Sequence, residues 1–272
     1  MNTGNAGSNR IDQKFAALRS AGRPGLIPFV TAGDPSIEAT VPVLHALVQA
    51  GADLIELGVP FSDPMADGPV IQLSSERALT RKVGLRQVLE FVRAFRADDA
   101  TTPLVLMGYL NPVELYGLDR FAQDAAQAGV DGVLLVDCPP EEAAPVRAAL
   151  AAQGLHQILL AAPTSDDARL LRLLRETGGY LYYVSFAGVT GAARLEQEAV
   201  RERVAAIRTH GSTPIAVGFG VRDAESARSI AAFADAVVIG SALVERLAQA
   251  QDAADAAERA TNFLAPIRAA LD

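Results

Sequence analysis

The sequence predicts an α/β fold, a (β/α)8 barrel (TIM barrel) with an extra N-terminal helix. Three observations lead to this prediction. Short apolar runs rich in Val, Ile and Leu recur along the 272 residues, amphipathic stretches lie between them, and no linker or change of composition divides the chain. Continuous apolar runs are typical of strands that are buried on both faces of a parallel sheet. Eight strand–helix units in roughly 250 residues match the size of such a barrel.

The predicted strands are eight apolar runs. In chain order they are GLIPFV (25–30), ADLIEL (52–57), PLVLM (103–107), DGVLLV (131–136), HQILLA (156–161), YLYYVS (180–185), PIAVGF (214–219) and DAVVIG (235–240). A further helix over residues 10–21 is expected to close the bottom of the barrel. We expect residues 1–9 to form a disordered polar tail and residues 10–272 to form a single domain. A doubly wound sheet is the alternative, but eight regular units and late glycine-rich loops favour the barrel.

Composition excludes several classes of function. The net charge of −8 and the absence of a basic run argue against nucleic acid as a partner. No apolar stretch approaches the ~20 residues of a membrane span, and the N-terminus lacks the apolar core of a signal peptide. The single cysteine, Cys138, cannot form an internal disulfide, which suits a reducing cytoplasm.

Side-chain chemistry narrows the mechanism further, because active sites of these barrels lie at the C-terminal ends of the strands. The two lysines, Lys14 and Lys82, lie at no strand end, which argues against a Schiff base. The histidines lie in a helix (His45) or near strand entries (His156 and His210), so a histidine metal site is not expected. No GxGxxG motif opens the first helix, so a dinucleotide site has no support.

Carboxylates remain at the predicted barrel mouth, above all in the stretch ELGVPFSDPMADGP (56–69). Glu56 is the penultimate residue of the second run and shares a face with Leu54. An ionised glutamate buried at a strand end is costly unless it is paired or functional. Burial would move its pKa towards neutrality, which suits a general acid or base. The alternative is a structural glutamate held by a backbone amide or a hydroxyl.

The loop after Glu56 carries two more acids, Asp63 and Asp67. The loop is longer than most strand-to-helix connections, and long loops in compact barrels are usually functional. The alternative is that one or both aspartates cap the helix that begins near Gly68.

Glycine-rich turns follow the last three strands and predict a phosphate site. Barrels of this type bind phosphate with the last two strand-to-helix loops and a helix N-terminus. Ser241 begins such a helix, and Arg222 is the one basic residue in the loops directly after the last two strands. The glycines are Gly188, Gly191, Gly218, Gly220 and Gly240.

The chain resembles the tryptophan synthase alpha subunit family. The motifs that carry the resemblance are PFVTAGDPS, ELGVPFSDPMADGPVIQ, GYLNP, VDCPPEE, YVSFAGVTGA, GFGV and VIGSALV, in this order over nearly the whole barrel. The resemblance implies a (β/α)8 barrel that cleaves indole-3-glycerol phosphate to indole and glyceraldehyde 3-phosphate in tryptophan biosynthesis. It further implies an αββα complex in the cytoplasm. The pyridoxal phosphate is expected in the beta subunit, with no cofactor in this chain.

The resemblance also implies roles for single residues. Glu56 is implied as the general acid and base, and Asp67 as the second catalytic carboxylate. Thr190 matches a threonine of a mobile loop that touches the catalytic aspartate, and Phe186 stands where some members carry arginine. Tyr182 matches a site tyrosine. The implied phosphate cradle is Gly191, Gly220, Gly240 and Ser241, and the implied indole pocket is Phe29, Leu106 and Tyr109.

Elementary chemistry agrees with these roles. Cleaving the bond to indole C3 requires a proton at C3 and removal of a proton from the glycerol hydroxyl, and one carboxyl group can serve both steps. A second carboxylate can stabilise charge at the indole N–H. Two alternatives stay open. One is a non-catalytic barrel that only binds a partner. The other is a different phosphate-binding barrel enzyme, such as an indole-3-glycerol phosphate synthase, although no lysine lies at a strand end.

Overall fold

Eight parallel strands form the centre of the protein. The structure is a computed structural model and describes residues 9–184, 193–218 and 220–272, with side chains in the second range described from residue 197. The strands of the described residues are β1 (Gly25–Thr31), β2 (Ile55–Gly58), β3 (Leu104–Gly108), β4 (Gly132–Leu135), β5 (His156–Ala161), β6 (Leu181–Val184), β7 (Ile215–Gly218) and β8 (Ala236–Ile239).

Helices connect the strands on the outside. In the described part of the chain they are α1 (Arg10–Ala21), α2 (Thr40–Gln49), α3 (Pro69–Thr80), α4 (Leu85–Asp98), α5 (Leu110–Tyr116), α6 (Leu118–Ala128), α7 (Ala144–Ala152), α8 (Asp167–Glu176), α9 (Ala193–Arg208), α10 (Ala224–Ala231), α11 (Ser241–Leu247) and α12 (Ala253–Leu271).

Each strand pairs in parallel with the next, and β1 pairs with β8, so the sheet closes into a barrel. The register places Phe29 of β1 opposite Glu56 of β2. The predicted (β/α)8 barrel is confirmed. That one domain spans residues 10–272 stays a prediction. Of the predicted tail, residues 1–8 lie outside the described residues, whereas Asn9 caps α1 by accepting a hydrogen bond from the amide of Ile11.

The strands divide the core into two layers, because alternate side chains point to opposite faces. One cluster lies between the strands and the helices, and the other fills the barrel interior. Ile11, Phe15 and Leu18 of α1 belong to the interior cluster, so α1 closes the bottom of the barrel as predicted. Gly132 leaves space for this plug, since a Cβ there would lie 3.1 Å from the Cδ1 of Ile11.

Three buried or half-buried aspartates join neighbouring strands at the bottom of the barrel. Each precedes a strand, and its carboxylate accepts the backbone N–H of the strand before. Asp53 accepts from Leu26 at 3.0 Å, Asp131 from Leu104 at 2.8 Å and Asp235 from Ile215 at 2.8 Å. The predicted strands 2, 4 and 8 included these aspartates, whereas β2, β4 and β8 begin after them.

Arginines complete the pairing of the bottom carboxylates. Asp131 lies 2.8 Å from the guanidinium of Arg10 and 2.9 Å from that of Arg96. Asp53 similarly receives Arg23 at 2.6 Å and Arg268 at 3.1 Å. These acids therefore have the partners that a buried charge needs, and we assign them a structural role.

The substitution Asp131→Asn tests this structural role. It removes from Arg96, whose side chain is 9 % exposed, the carboxylate at 2.9 Å and leaves only that of Asp99 at 3.9 Å. Breaking a buried ion pair on one side costs about 3–5 kcal/mol, so we expect a loss of that order in the free energy of unfolding. Urea denaturation measures it, with Asp98→Asn at the exposed end of α4 as the control. A loss below about 1 kcal/mol, the size of an exposed pair, would contradict the assignment.

Candidate active site

A cavity of about 550 Å³ opens at the C-terminal ends of the strands. It extends from the carboxylates of β2 and of the loop after it to the turns after β7 and β8. Seven of the residues for which the resemblance implies a role line it, namely Phe29, Glu56, Asp67, Tyr182, Gly220, Gly240 and Ser241. The structure therefore brings both predicted carboxylates and most of the predicted phosphate cradle to one cavity.

Glu56 points into the barrel interior from β2 and is fully buried. Its Oε1 accepts a hydrogen bond of 2.6 Å from the hydroxyl of Tyr180. Its Oε2 is buried and has no hydrogen-bond partner among the described residues. Buried carboxylates normally have partners on both oxygens, so this unused acceptor, in a side chain that lines the cavity, is available to a ligand.

Burial also changes the acidity of Glu56. Loss of solvation raises the pKa of Glu56 to about 7, and the hydrogen bond from Tyr180 opposes this shift only in part. A carboxyl group with such a pKa exists in both protonation states near neutral pH. It can therefore donate and accept a proton in one reaction cycle.

Asp67 is held at the cavity by Tyr109 of the loop after β3. The Tyr109 hydroxyl donates to Asp67 Oδ2 at 3.0 Å and accepts from the amide of Ala66, also at 3.0 Å. Burial raises the pKa of Asp67, and the hydrogen bond from Tyr109 opposes the shift. Tyr109 therefore acts on the cavity through Asp67, and its own ring stacks on Phe61 with 4.9 Å between centroids.

The aspartates of this loop do not cap α3. The N-cap of α3 is Gly68, which makes no side-chain capping bond, and Pro69 begins the helix without an N–H to satisfy. Asp67 is engaged by Tyr109 instead, and Asp63 accepts from the hydroxyl of Ser62. The capping alternative is therefore wrong, which leaves the carboxylate of Asp67 free to face the cavity.

Tyr182 of β6 lies beside both carboxylates. Burial raises the pKa of Tyr182 well above its ordinary value, and the negative charges of Glu56 and Asp67 add to the effect. The tyrosine therefore stays protonated and can donate a hydrogen bond. Its hydroxyl stands against Gly218, where an added Cβ would clash with it, so this glycine of β7 makes room for the ring. The sequence analysis missed that packing role.

The opposite end of the cavity is formed by backbone. Gly240 is the N-cap of α11 and makes no side-chain capping bond, and Ser241 is the first helical residue. The first N–H groups of a helix have no partner within the helix, and Ser241 and Ala242 of this first turn line the cavity, so their amides are available as donors for an anion. Gly220 adopts a left-handed backbone with φ of 52°, which glycine adopts without strain.

Leu106 does not line the cavity, so its predicted place in the indole pocket is wrong. Its side chain belongs to the cluster between strands and helices, whereas Val105 and Met107 belong to the barrel interior. Met107 lines the cavity in its place, and Val136 and Leu160 extend the apolar wall. The motif GYLNP identifies the end of β3 as part of the site. Only the alternation of side chains along β3 shows which residues face the barrel interior and which face the helices.

Several predicted residues lie outside the described part of the chain. They are Phe186, Gly188, Thr190 and Gly191.

Within the described ranges, no group of three or more His, Cys, Asp or Glu side chains is placed to hold a metal ion. A search of the same ranges finds no helix that is both long and apolar enough to cross a membrane.

A buried acid of near-neutral pKa, a second carboxylate and a helix N-terminus share one cavity of a (β/α)8 barrel. Fold and site together are those of a (β/α)8 barrel enzyme. A sequence profile described as "Tryptophan synthase alpha chain" matches residues 15–271. The chain belongs to the tryptophan synthase alpha chain family.

Similar proteins support the same assignment. The chain is 61 % identical over 264 residues to the tryptophan synthase alpha chains of Xylella fastidiosa (strain M12) and Xanthomonas axonopodis pv. citri (strain 306), covering 97 % of this chain and 98 % of each relative. The crystal structure of tryptophan synthase subunit alpha from Legionella pneumophila str. Paris is 43 % identical, with a TM-score of 0.91, covering 97 % of this chain and 98 % of the other. Tryptophan synthase from M. tuberculosis in its open form is 35 % identical, with a TM-score of 0.86, covering 97 % and 99 %.

The substitution Glu56→Gln is expected to stabilise the fold in a pH-dependent way. The pKa of Glu56 is about 7 in the folded protein, above its ordinary value of 4.5, so the folded state binds the proton more tightly. Ionisation therefore destabilises the fold progressively as the pH rises from 4.5 through 7. At about 1.4 kcal/mol per pKa unit, the variant should gain about 3 kcal/mol at pH 8 and far less at pH 5.

Urea unfolding of wild type and variant at both pH values measures this gain. A difference that does not change between pH 5 and pH 8 would contradict a raised pKa for Glu56.

Proposed function

We propose that this chain is the alpha subunit of a tryptophan synthase and cleaves indole-3-glycerol phosphate to indole and D-glyceraldehyde 3-phosphate. The observation that carries the proposal is the buried Oε2 of Glu56, which lines the cavity without a partner on a carboxyl group whose pKa is about 7. Family membership supplies the substrate, and the cavity supplies residues suited to each part of it.

Glu56 is proposed to serve two proton transfers. As an acid it protonates C3 of the indole ring, which turns the ring into an electron sink. As a base it takes the proton of the glycerol hydroxyl next to the scissile bond, so that a carbonyl forms as the C–C bond breaks. One group can perform both steps only if its pKa lies near the working pH, and burial provides that.

Asp67 is proposed to stabilise the positive charge that appears on the protonated ring. Its support is the Tyr109 hydroxyl, which fixes one carboxylate oxygen at 3.0 Å. A preorganised carboxylate in a half-buried site stabilises a developing cation more than water does. The apolar side chains of Phe29, Met107 and Leu160 line the same cavity and suit a flat aromatic ring.

The phosphate is proposed to bind at the turns after β7 and β8. Gly220, Gly240 and Ser241 line that end of the cavity, and α11 begins there with Ser241. Arg222 also lines the cavity and adds a positive charge near this end. Amides and a helix N-terminus bind a phosphate without a dedicated lysine.

The proposed reaction assigns no cofactor to this chain. The protonated indole ring accepts the electrons of the breaking bond itself, so the chain's own residues only need to move protons. Pyridoxal phosphate is expected in the beta subunit. A cytoplasmic location likewise remains a prediction from the sequence.

Membership of the alpha chain family implies a beta-subunit partner, and we propose an αββα assembly that uses the face around the loop after β2. Met65 in that loop is 86 % exposed and Leu115 of α5 is 82 % exposed. The two segments are adjacent, because Phe61 stacks on Tyr109 and Ala66 donates to the same tyrosine. Exposed apolar side chains of this size suit a protein interface.

Glu56→Gln should abolish cleavage while the substrate still binds. The amide keeps the size of the side chain but cannot exchange the proton. General acid–base groups contribute roughly 10²–10⁴ in rate, and a group with two tasks should lie at the upper end. Release of glyceraldehyde 3-phosphate measures turnover, and equilibrium dialysis measures binding. A variant that keeps more than about a tenth of wild-type turnover would overturn the role of Glu56.

Asp67→Asn should lower turnover at least about 10²-fold, through lost stabilisation of the cationic ring. Asp63→Asn is the matched control, since it makes the same change in the same loop at an exposed carboxylate paired with Ser62. We expect the control to retain most of its turnover in the isolated chain. Equal losses at the two positions would show that the wrong acid has been assigned to the substrate.

Met65→Ser should weaken binding of the beta subunit without changing basal turnover. If the loss of this apolar side chain weakens the binding free energy by about 1.4 kcal/mol, the dissociation constant rises about tenfold. Calorimetry measures the affinity, and titration of beta subunit into the chain measures turnover. Saturating beta subunit should raise turnover at least about tenfold for both proteins. Unchanged affinity of the variant would exclude this face as the interface.

A further inference from the structure

Two polar contacts fasten helix α3 to strand β1 and the loop after it. The hydroxyls of Thr31 and Ser74 are 2.6 Å apart. Arg77 donates from Nε to Asp34 Oδ1 at 2.6 Å and from Nη2 to Asp34 Oδ2 at 2.8 Å. Ser74 and Arg77 are three residues apart and therefore lie on the same side of the helix. This two-pronged contact fixes both the position and the rotation of α3.

The N-terminal turn of the same helix holds the loop that carries Asp67. The side-chain amide of Gln72 donates to the backbone carbonyl of Asp67 at 2.8 Å and to that of Pro64 at 3.4 Å. Asp67 immediately precedes Gly68, the N-cap of α3. The backbone of Asp67 therefore follows any movement of the helix.

Asp67 thus has two independent supports. Tyr109, in the loop after β3, fixes the carboxylate, and α3 fixes the backbone through Gln72. The Arg77–Asp34 pair lies about one and a half helical turns beyond Gln72 and is absent from the cavity lining. Asp34 is nearly fully buried, with its side chain 2 % exposed, and a bidentate guanidinium gives it a directional partner rather than a point charge.

We propose that Arg77 is a positioning residue for the cleavage reaction, which holds α3 on Asp34 so that Asp67 faces the substrate. This inference rests on the proposed function, because it concerns the rate of that reaction. A purely structural ion pair would affect folding alone. A positioning pair affects turnover through Asp67 and through no other group. Errors of about 1 Å in placing a catalytic group can cost 10²-fold in rate.

The test is a double-mutant cycle in turnover between Arg77 and Asp67. Arg77→Gln removes the fork and the charge, and we expect kcat to fall about tenfold while KM changes less than twofold. In the Asp67→Asn background the same substitution should change kcat less than twofold, since there is no carboxylate left to position. Arg77→Lys keeps the charge without the fork and should recover only part of the loss.

A matched control separates positioning from stability. Arg10 pairs with Asp131 at the bottom of the barrel at 2.8 Å, and the exposures of the two side chains, 34 % and 3 %, are close to the 35 % and 2 % of Arg77 and Asp34. We expect Arg10→Gln to leave kcat within twofold of wild type. If Arg77→Gln does not fold, the double variant Asp34→Asn/Arg77→Gln leaves no buried charge unpaired and takes its place in the cycle.

Hydrogen exchange provides a readout that does not depend on activity. The backbone amide of Asp67 donates to the carbonyl of Pro64 at 3.0 Å. The hydrogen of this amide should exchange with solvent at least about tenfold faster in Arg77→Gln than in Arg10→Gln. Equal kcat losses in both Asp67 backgrounds, or an equal effect of Arg10→Gln, would overturn the positioning role. Absence of cleavage by the wild type would instead refute the proposed function, and the exchange rates alone would then decide whether Arg77 orders the loop.

Discussion

The mouth of the barrel depends on one carboxylate that is buried with half of its hydrogen-bonding capacity unused. Glu56 receives a single donor, the Tyr180 hydroxyl, and its second oxygen has no partner among the described residues. Burial removes the water that would solvate the ionised carboxylate, and this raises the pKa of Glu56 to about 7. The rest of the barrel must therefore supply the stability that the ionised Glu56 removes. The consequence is an acid that can lose and regain its proton near neutral pH.

The bottom of the same barrel shows the opposite treatment of buried acids. Asp131 has two arginines and a backbone N–H within 3 Å, and Asp53 has a similar set. These carboxylates join adjacent strands and carry no unused acceptor of the kind seen at Glu56. The contrast divides the protein into a face where charge is neutralised for stability and a face where it is kept available for chemistry, as (β/α)8 barrels generally do.

Local sequence patterns were sufficient for the strands and for Glu56, because a run of apolar residues and an acid at its end are adjacent in the chain. The strand starts were less accurate, since Asp53, Asp131 and Asp235 look like strand residues but bind the preceding strand. Leu106 was assigned to the wrong face because the motif fixes a segment and not its alternation. The packing role of Gly218 and the contacts of Tyr180 and Arg77 do not follow from the sequence, for a different reason. Their partners lie far away in the chain, so only the folded structure reveals the contacts.

The most direct test of this account is the pKa of Glu56 itself. Carbon-13 NMR of the glutamate side-chain carboxyl carbon, with the resonance assigned by its loss in Glu56→Gln, follows the ionisation of this one group in the folded protein. The account predicts a midpoint near pH 7, as expected from burial against a single hydrogen bond. A midpoint near the ordinary value of 4.5 would show that the carboxylate is solvated or fully paired, and the proposed double role of Glu56 would then fail.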